Sequence, residues 1–102
     1  MFGLSDEVIA DLCAVFRQYP NVQEVLIFGS RAKGDYRNGS DIDLAIKGDN
    51  TTFGDLMDIS CDIDDLGLLY KVDLLLYAQE KETPVGQQID ATGKLFYRKG
   101  YY

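Results

Sequence analysis

Gly29-Ser30-Arg31-Ala32-Lys33-Gly34-Asp35-Tyr36-Arg37-Asn38-Gly39-Ser40-Asp41-Ile42-Asp43-Leu44 is the stretch on which the reading of this chain turns. Just before it, Val25-Leu26-Ile27-Phe28 is an unbroken apolar run, short enough for a buried strand, that leads straight into Gly29-Ser30. Small residues at a strand end let the backbone come close to a bound group. A short helix over Arg31–Gly34 would aim the amides of Ser30 and its neighbours at that group. Free amides at a helix start favour an anion, most simply a phosphate. Further on, Asp41-Ile42-Asp43-Leu44-Ala45-Ile46 alternates with period two. Ile42, Leu44 and Ile46 are therefore expected in a core, with Asp41 and Asp43 together on the opposite face. Neighbouring carboxylates repel unless a cation lies between them, and hard oxygen ligands select magnesium, which shares itself with substrate phosphates. A phosphate turn and a carboxylate pair on neighbouring strands make a site for a metal-bound nucleotide.

A lone Gly-Ser is usually just a turn, and a lone Asp-x-Asp is usually solvated surface. Their conjunction is more specific. Gly29-Ser30, a gap of about ten residues, and Ser40-Asp41-Ile42-Asp43-Leu44 together resemble the signature of the DNA polymerase β-like nucleotidyltransferases. The forms Gly-Ser-Arg-Ala-Lys-Gly and Ser-Asp-Ile-Asp-Leu are most similar to the minimal nucleotidyltransferases, the MNT group. The resemblance implies an α/β (α+β) nucleotidyltransferase fold, a small mixed β-sheet with helices packed on it. It implies ATP as donor, AMP as the group transferred and pyrophosphate as the leaving group. It places two magnesium ions on Asp41 and Asp43, the β- and γ-phosphates on Gly29 and Ser30, and Arg31, Lys33 and Ser40 in the nucleotide-binding stretch. Lys33 stands where an Arg is frequent in the family, so charge is kept but bidentate phosphate contact is not.

Many minimal nucleotidyltransferases are antitoxins encoded beside a HEPN-domain ribonuclease toxin, whose tyrosine they adenylylate. The resemblance thus implies a HEPN-domain toxin as a hetero-oligomeric partner. Two other readings stay open: a module that neutralises its partner by covering it, with the nucleotide site idle, and a transferase acting on a small-molecule hydroxyl.

The 102 residues fit one small nucleotidyltransferase domain, 1–102, with no room for a separate substrate-binding domain. A hydrophobic share of 46% and a charged share of 26% are those of an ordinary globular protein. No apolar run reaches membrane-spanning length, and Met1–Glu7 lacks the basic-then-apolar order of a secretory signal, so a cytoplasmic protein is expected. There is no histidine, which excludes Ser-His-Asp and Cys-His catalysis and leaves acid–base work to carboxylates. A net charge of −7 argues against direct binding to DNA or RNA, whereas a nucleotide's charge can be met by metal ions. Arg31, Lys33 and Arg37 supply local positive charge near the turn, although Arg37 reads equally well as solvated. Cys13 and Cys61 both fall on apolar helical faces and read as buried thiols.

Along the chain, Ser5 caps a helix with Val8, Leu12, Val15 or Phe16, and Tyr19 on its apolar side, stopped by Pro20-Asn21. Thr52 and Asp55 form a capping box for a second helix, which carries Leu56, Ile59 or Ser60, Ile63 and Leu66 to Gly67. Its Asp55, Asp58, Asp62 and Asp65 read either as a solvated face or as a docking face for a basic partner. Asp62-Ile63-Asp64-Asp65-Leu66-Gly67 begins like a calcium loop, but Leu66 occupies a liganding position. A Walker loop is excluded because Asp35-Tyr36 follows Gly34.

Lys71–Tyr77 reads as a third strand, and an Asp inside such a strand is expensive unless paired or metal-bound. That makes Asp73 the third carboxylate, in a placement similar to the third acid of the family. It would complete the acceptor-side metal and could take the hydroxyl proton; the alternative is an edge-strand Asp facing solvent. Thr83-Pro84 starts a last helix that Gly93 ends, and Leu95–Tyr97 adds a short final strand. The Arg98–Tyr102 tail reads as a frayed end or interface strip before RNA contact.

Overall fold

The computed structural model describes residues 2–35 and 41–100. Its elements run α1 (Asp6–Arg17), β1 (Glu24–Phe28), α2 (Ser30–Lys33), β2 (Ile42–Lys47), α3 (Phe53–Asp65), β3 (Val72–Leu76), α4 (Tyr77–Glu80), α5 (Pro84–Thr92) and β4 (Lys94–Arg98). The strands form one sheet in the order β3-β2-β1-β4. β1 is antiparallel to β2 and β4, while β2 and β3 are parallel. A parallel pair needs a crossover, and α3 supplies it. The result is the expected mixed α+β architecture.

The helix starts follow from local chemistry. The Ser5 hydroxyl accepts from the Val8 amide at 3.2 Å and opens α1. Thr52 and Asp55 close a reciprocal capping box on α3, at 3.1 and 3.0 Å. Thr83 accepts from the Gly86 amide at 3.2 Å, with Pro84 at the first helical position. Each cap satisfies a donor that a helix end would otherwise leave orphaned, typically a matter of about 1 kcal/mol.

Period-two alternation assigns the sheet faces. Val25 and Ile27 of β1 and Ile42, Leu44 and Ile46 of β2 are buried beneath α1 and α3, around Leu12, Phe16, Ile59 and Ile63. The opposite face holds a smaller cluster of Phe28, Ala45 and Ile89, with Leu26, Leu75 and Tyr77 packed on it from β1, β3 and the start of α4. α4 and α5 pack on that second face, and Asp43, opposite Phe28 and two residues before Ala45, lies on the same face. At β4 the alternation breaks: a bulge between Val25 and Leu26 of the β1 register lets consecutive Phe96 and Tyr97 both enter the main core, where both meet the Phe16 ring.

Two expectations are corrected. Cys13 is buried, but Cys61 is exposed, because it lies two residues from both Ile59 and Ile63 and so on the far side of α3 from the buried stripe. The third strand stops at Leu76, and Tyr77 opens the short helix α4, its hydroxyl donating to Asp90 of α5.

Candidate active site

The pairing register brings three strand positions side by side. Phe28 of β1 lies opposite Asp43 of β2, and Asp43 lies opposite Asp73 of β3. One residue past Phe28 the chain turns at Gly29, with φ 77° and ψ −153°, a conformation essentially reserved for glycine. The turn also needs glycine for space: a β-carbon there would sit 2.5 Å from Asp43 Oδ2. The backbone at Gly29 therefore lies directly against the Asp43 carboxylate. Ser30 begins α2, a single turn tied by Lys33 N–H to Gly29 O at 3.2 Å and Gly34 N–H to Ser30 O at 3.0 Å. The first amides of a helix have no acceptor within it, so this turn presents donors next to a carboxylate.

Asp41 is exposed just ahead of β2 and Asp43 is half-buried within it. The Asp43 carboxyl is held above its usual pKa, first by burial and then by the negative charges of Asp73 and Asp41; Lys71 acts in the opposite sense. Asp43 thus feels both of the other acids, and a cation would relieve that repulsion. Among the described residues no three acids or cysteines are grouped tightly enough to enclose an ion by themselves. An incomplete oxygen set of this kind fits magnesium, which keeps waters and takes substrate phosphates as its remaining ligands.

Asp73 departs from the physical argument that singled it out. β3 is an edge strand and the Asp73 side chain is 48% exposed, so its charge carries little burial penalty. What distinguishes it is its register position beside Asp43. Arg31 is held within the fold. It is only 3% exposed, donates to Phe2 O at 3.0 Å, and its guanidinium lies 4.9 Å from the centre of the Tyr70 ring. These contacts pin α2 to the body of the protein. Lys33 is exposed at the end of α2. Ser40 and Arg37 lie outside the described residues.

Sequence reasoning passed over Lys71, whose ammonium is 3.8 Å from Asp73 Oδ1. The signal was present, since residues two apart in a strand share a face.

A family model described as "Polymerase beta, Nucleotidyltransferase" matches residues 10–101. The chain belongs to the polymerase β nucleotidyltransferase family. Among solved structures, this nucleotidyltransferase chain is similar to one in a toxin–antitoxin crystal structure with AMP-PNP: TM-score 0.70, 23% identity, covering 95% of this chain and 76% of that one. It is also similar to a chain in the complex of a tri-AMPylated Shewanella oneidensis HEPN toxin with an MNT antitoxin: TM-score 0.68, 20% identity, 93% and 73% coverage. A Y104A mutant of an MntA toxin–antitoxin complex gives TM-score 0.65 and 26% identity over 90% of this chain and 71% of that one. No curated protein matches the chain significantly.

Proposed function

We propose that this nucleotidyltransferase is magnesium-dependent and transfers AMP from ATP to a hydroxyl, that of a tyrosine in a partner HEPN-domain toxin, thereby acting as an antitoxin. The observation that carries the reading is the alignment in register of Asp43 and Asp73 on adjacent strands, with the Gly29 turn directly against the Asp43 carboxylate. The likeness to toxin–antitoxin complexes, one with AMP-PNP and one with an AMPylated toxin, supports the choice of donor and acceptor.

Asp41 and Asp43 would hold magnesium, with Asp73 completing the acceptor side. Bound there, the metal supplies positive charge at the attacking and leaving oxygens. The chain's own part is placement. Gly29 and Ser30 let the backbone approach the β- and γ-phosphates, and α2, anchored through Arg31, keeps that turn rigid. Asp73, exposed at the sheet edge, is open to an acceptor arriving from outside. In transfer, the acceptor oxygen bonds to the α-phosphorus, the bond to the bridging oxygen breaks, pyrophosphate departs, and the hydroxyl proton passes to Asp73.

Two measurements test this. Calorimetry should show ATP binding that disappears with excess chelator, since bare acids repel a triphosphate. Mass spectrometry of the co-expressed partner should show added AMP. Full neutralisation by an Asp41→Asn, Asp43→Asn variant without any mass shift would replace this reading with neutralisation by covering alone.

A further inference from the structure

Helix α3 carries two apolar stripes, and the fold uses one. Ile59 and Ile63, with Leu56 and Leu66 beside them, face the core. Phe53, Met57 and Cys61 recur every fourth residue along the outward side. Phe53 is 63% exposed, Met57 51%, and Cys61 is exposed as well. Single apolar residues on a surface need no explanation, but a stripe running the length of one helix does.

The stripe is bordered by charge of one sign. α3 contains five aspartates and no Lys or Arg. Two have work within the fold: Asp55 completes the capping box, and Asp62 accepts from the Tyr19 hydroxyl. Asp58, Asp64 and Asp65 are exposed beside the stripe. Asp64 and Asp65 stand in the last turn, where the helix dipole disfavours anions and no basic residue compensates. Among the described residues neither makes an ion pair; cations on a docked partner would repay that placement.

We infer that the outward face of α3, Phe53, Met57 and Cys61 edged by Asp58, Asp64 and Asp65, is where the HEPN-domain partner docks, through an apolar strip flanked by Lys or Arg. The inference rests on the function proposed above. Charge complementarity selects this occupant, because a second copy of the chain would set aspartates against aspartates. Continuity with the nucleotide site supports it. Asp64 also borders a cleft of about 250 Å³ whose lining includes Tyr70 and Lys71, and Lys71 reaches Asp73 at 3.8 Å. A partner lying along α3 is thereby led to the sheet edge at which the acceptor-side acid is exposed.

The test is the affinity of the purified chain for its HEPN-domain partner, with two variants. Phe53→Ser, Met57→Ser changes only exposed side chains, so its melting temperature and its affinity for magnesium-ATP should match the wild type, while partner binding weakens by about 30-fold or more. Asp58→Asn, Asp64→Asn, Asp65→Asn should slow association and flatten its dependence on salt. Wild-type binding with the Phe53/Met57 variant within about threefold of it overturns the docking face and leaves the proposed function standing. Failure of the wild type to bind overturns both. A wild-type dimer in sedimentation that the same variant dissolves assigns the face to a second copy and also overturns the inference.

Discussion

Gly29→Ala probes the site without removing a polar atom. The added methyl must adopt φ 77° and ψ −153°, which costs an L-residue about 1–3 kcal/mol. It must also displace the Asp43 carboxylate, because the β-carbon would lie 2.5 Å from Oδ2 where ordinary contact begins at 3.4 Å. The carboxylate therefore retreats by about 1 Å, and a misplacement of that size at a reacting centre can lower a rate by about 10²-fold. A matched control lies five residues on: Gly34 has φ 85° but nothing within 4 Å of its would-be β-carbon. Gly34→Ala carries backbone strain and no collision. Thermal unfolding and single-turnover transfer from magnesium-ATP should be measured for both. Both variants should melt lower, by up to the order of 10 °C, and only Gly29→Ala should lose transfer. Equal transfer rates in the two would refute the claim that the turn and Asp43 are held in mutual contact for catalysis.

Three further outcomes are expected. If Asp73 serves the acceptor side as proposed, Asp73→Asn should lower transfer by at least about 10²-fold while magnesium-ATP affinity, read by calorimetry, changes little. Leu44→Ala should destabilise the fold by about 2–5 kcal/mol in urea titration, since Leu44 is fully buried in the main core. The Tyr19 phenol, donating to Asp62, has its pKa raised from 10.0 to about 12. A raised folded-state pKa gives stability that is complete below pH 10 and lost as pH climbs toward about 12, so Tyr19→Phe should lose less stability over that window than the wild type, the remainder coming from Tyr77 and Tyr97, which are also raised.

Much of this was legible locally. Capping residues and proline announced α1, α3 and α5, and strict alternation placed Ile42, Leu44 and Ile46 inward with Asp43 outward. What escaped depends on distant neighbours. The edge position of Asp73 follows from the strand order, which no stretch of sequence states. The contacts of Arg31 with Phe2 and Tyr70, both remote in sequence, could not be read from the turn that contains it. Cys61 reads as buried from its apolar neighbours in sequence, but its two-residue spacing from Ile59 and Ile63 turns it to the opposite side of α3. The bulge that admits both Phe96 and Tyr97 to the core is invisible to a period-two reading.

The crossover through α3 also bears on when the site comes into being. Asp43 and Asp73 are thirty residues apart in the chain and become neighbours only when β3 has docked in parallel on β2. Parallel pairing across a long loop is among the slower events in folding, because chain entropy is lost before the contacts that compensate it can form. The hairpin of β1 and β2, with its Gly29 turn and Asp43, can assemble earlier from nearer residues. A chain still emerging, or one whose edge strand has locally opened, holds half a site. Competence for nucleotidyl transfer is thereby tied to a long-range strand pair at the edge of the sheet, so that local opening of β3 would silence the chemistry while the β1–β2 hairpin is still in place.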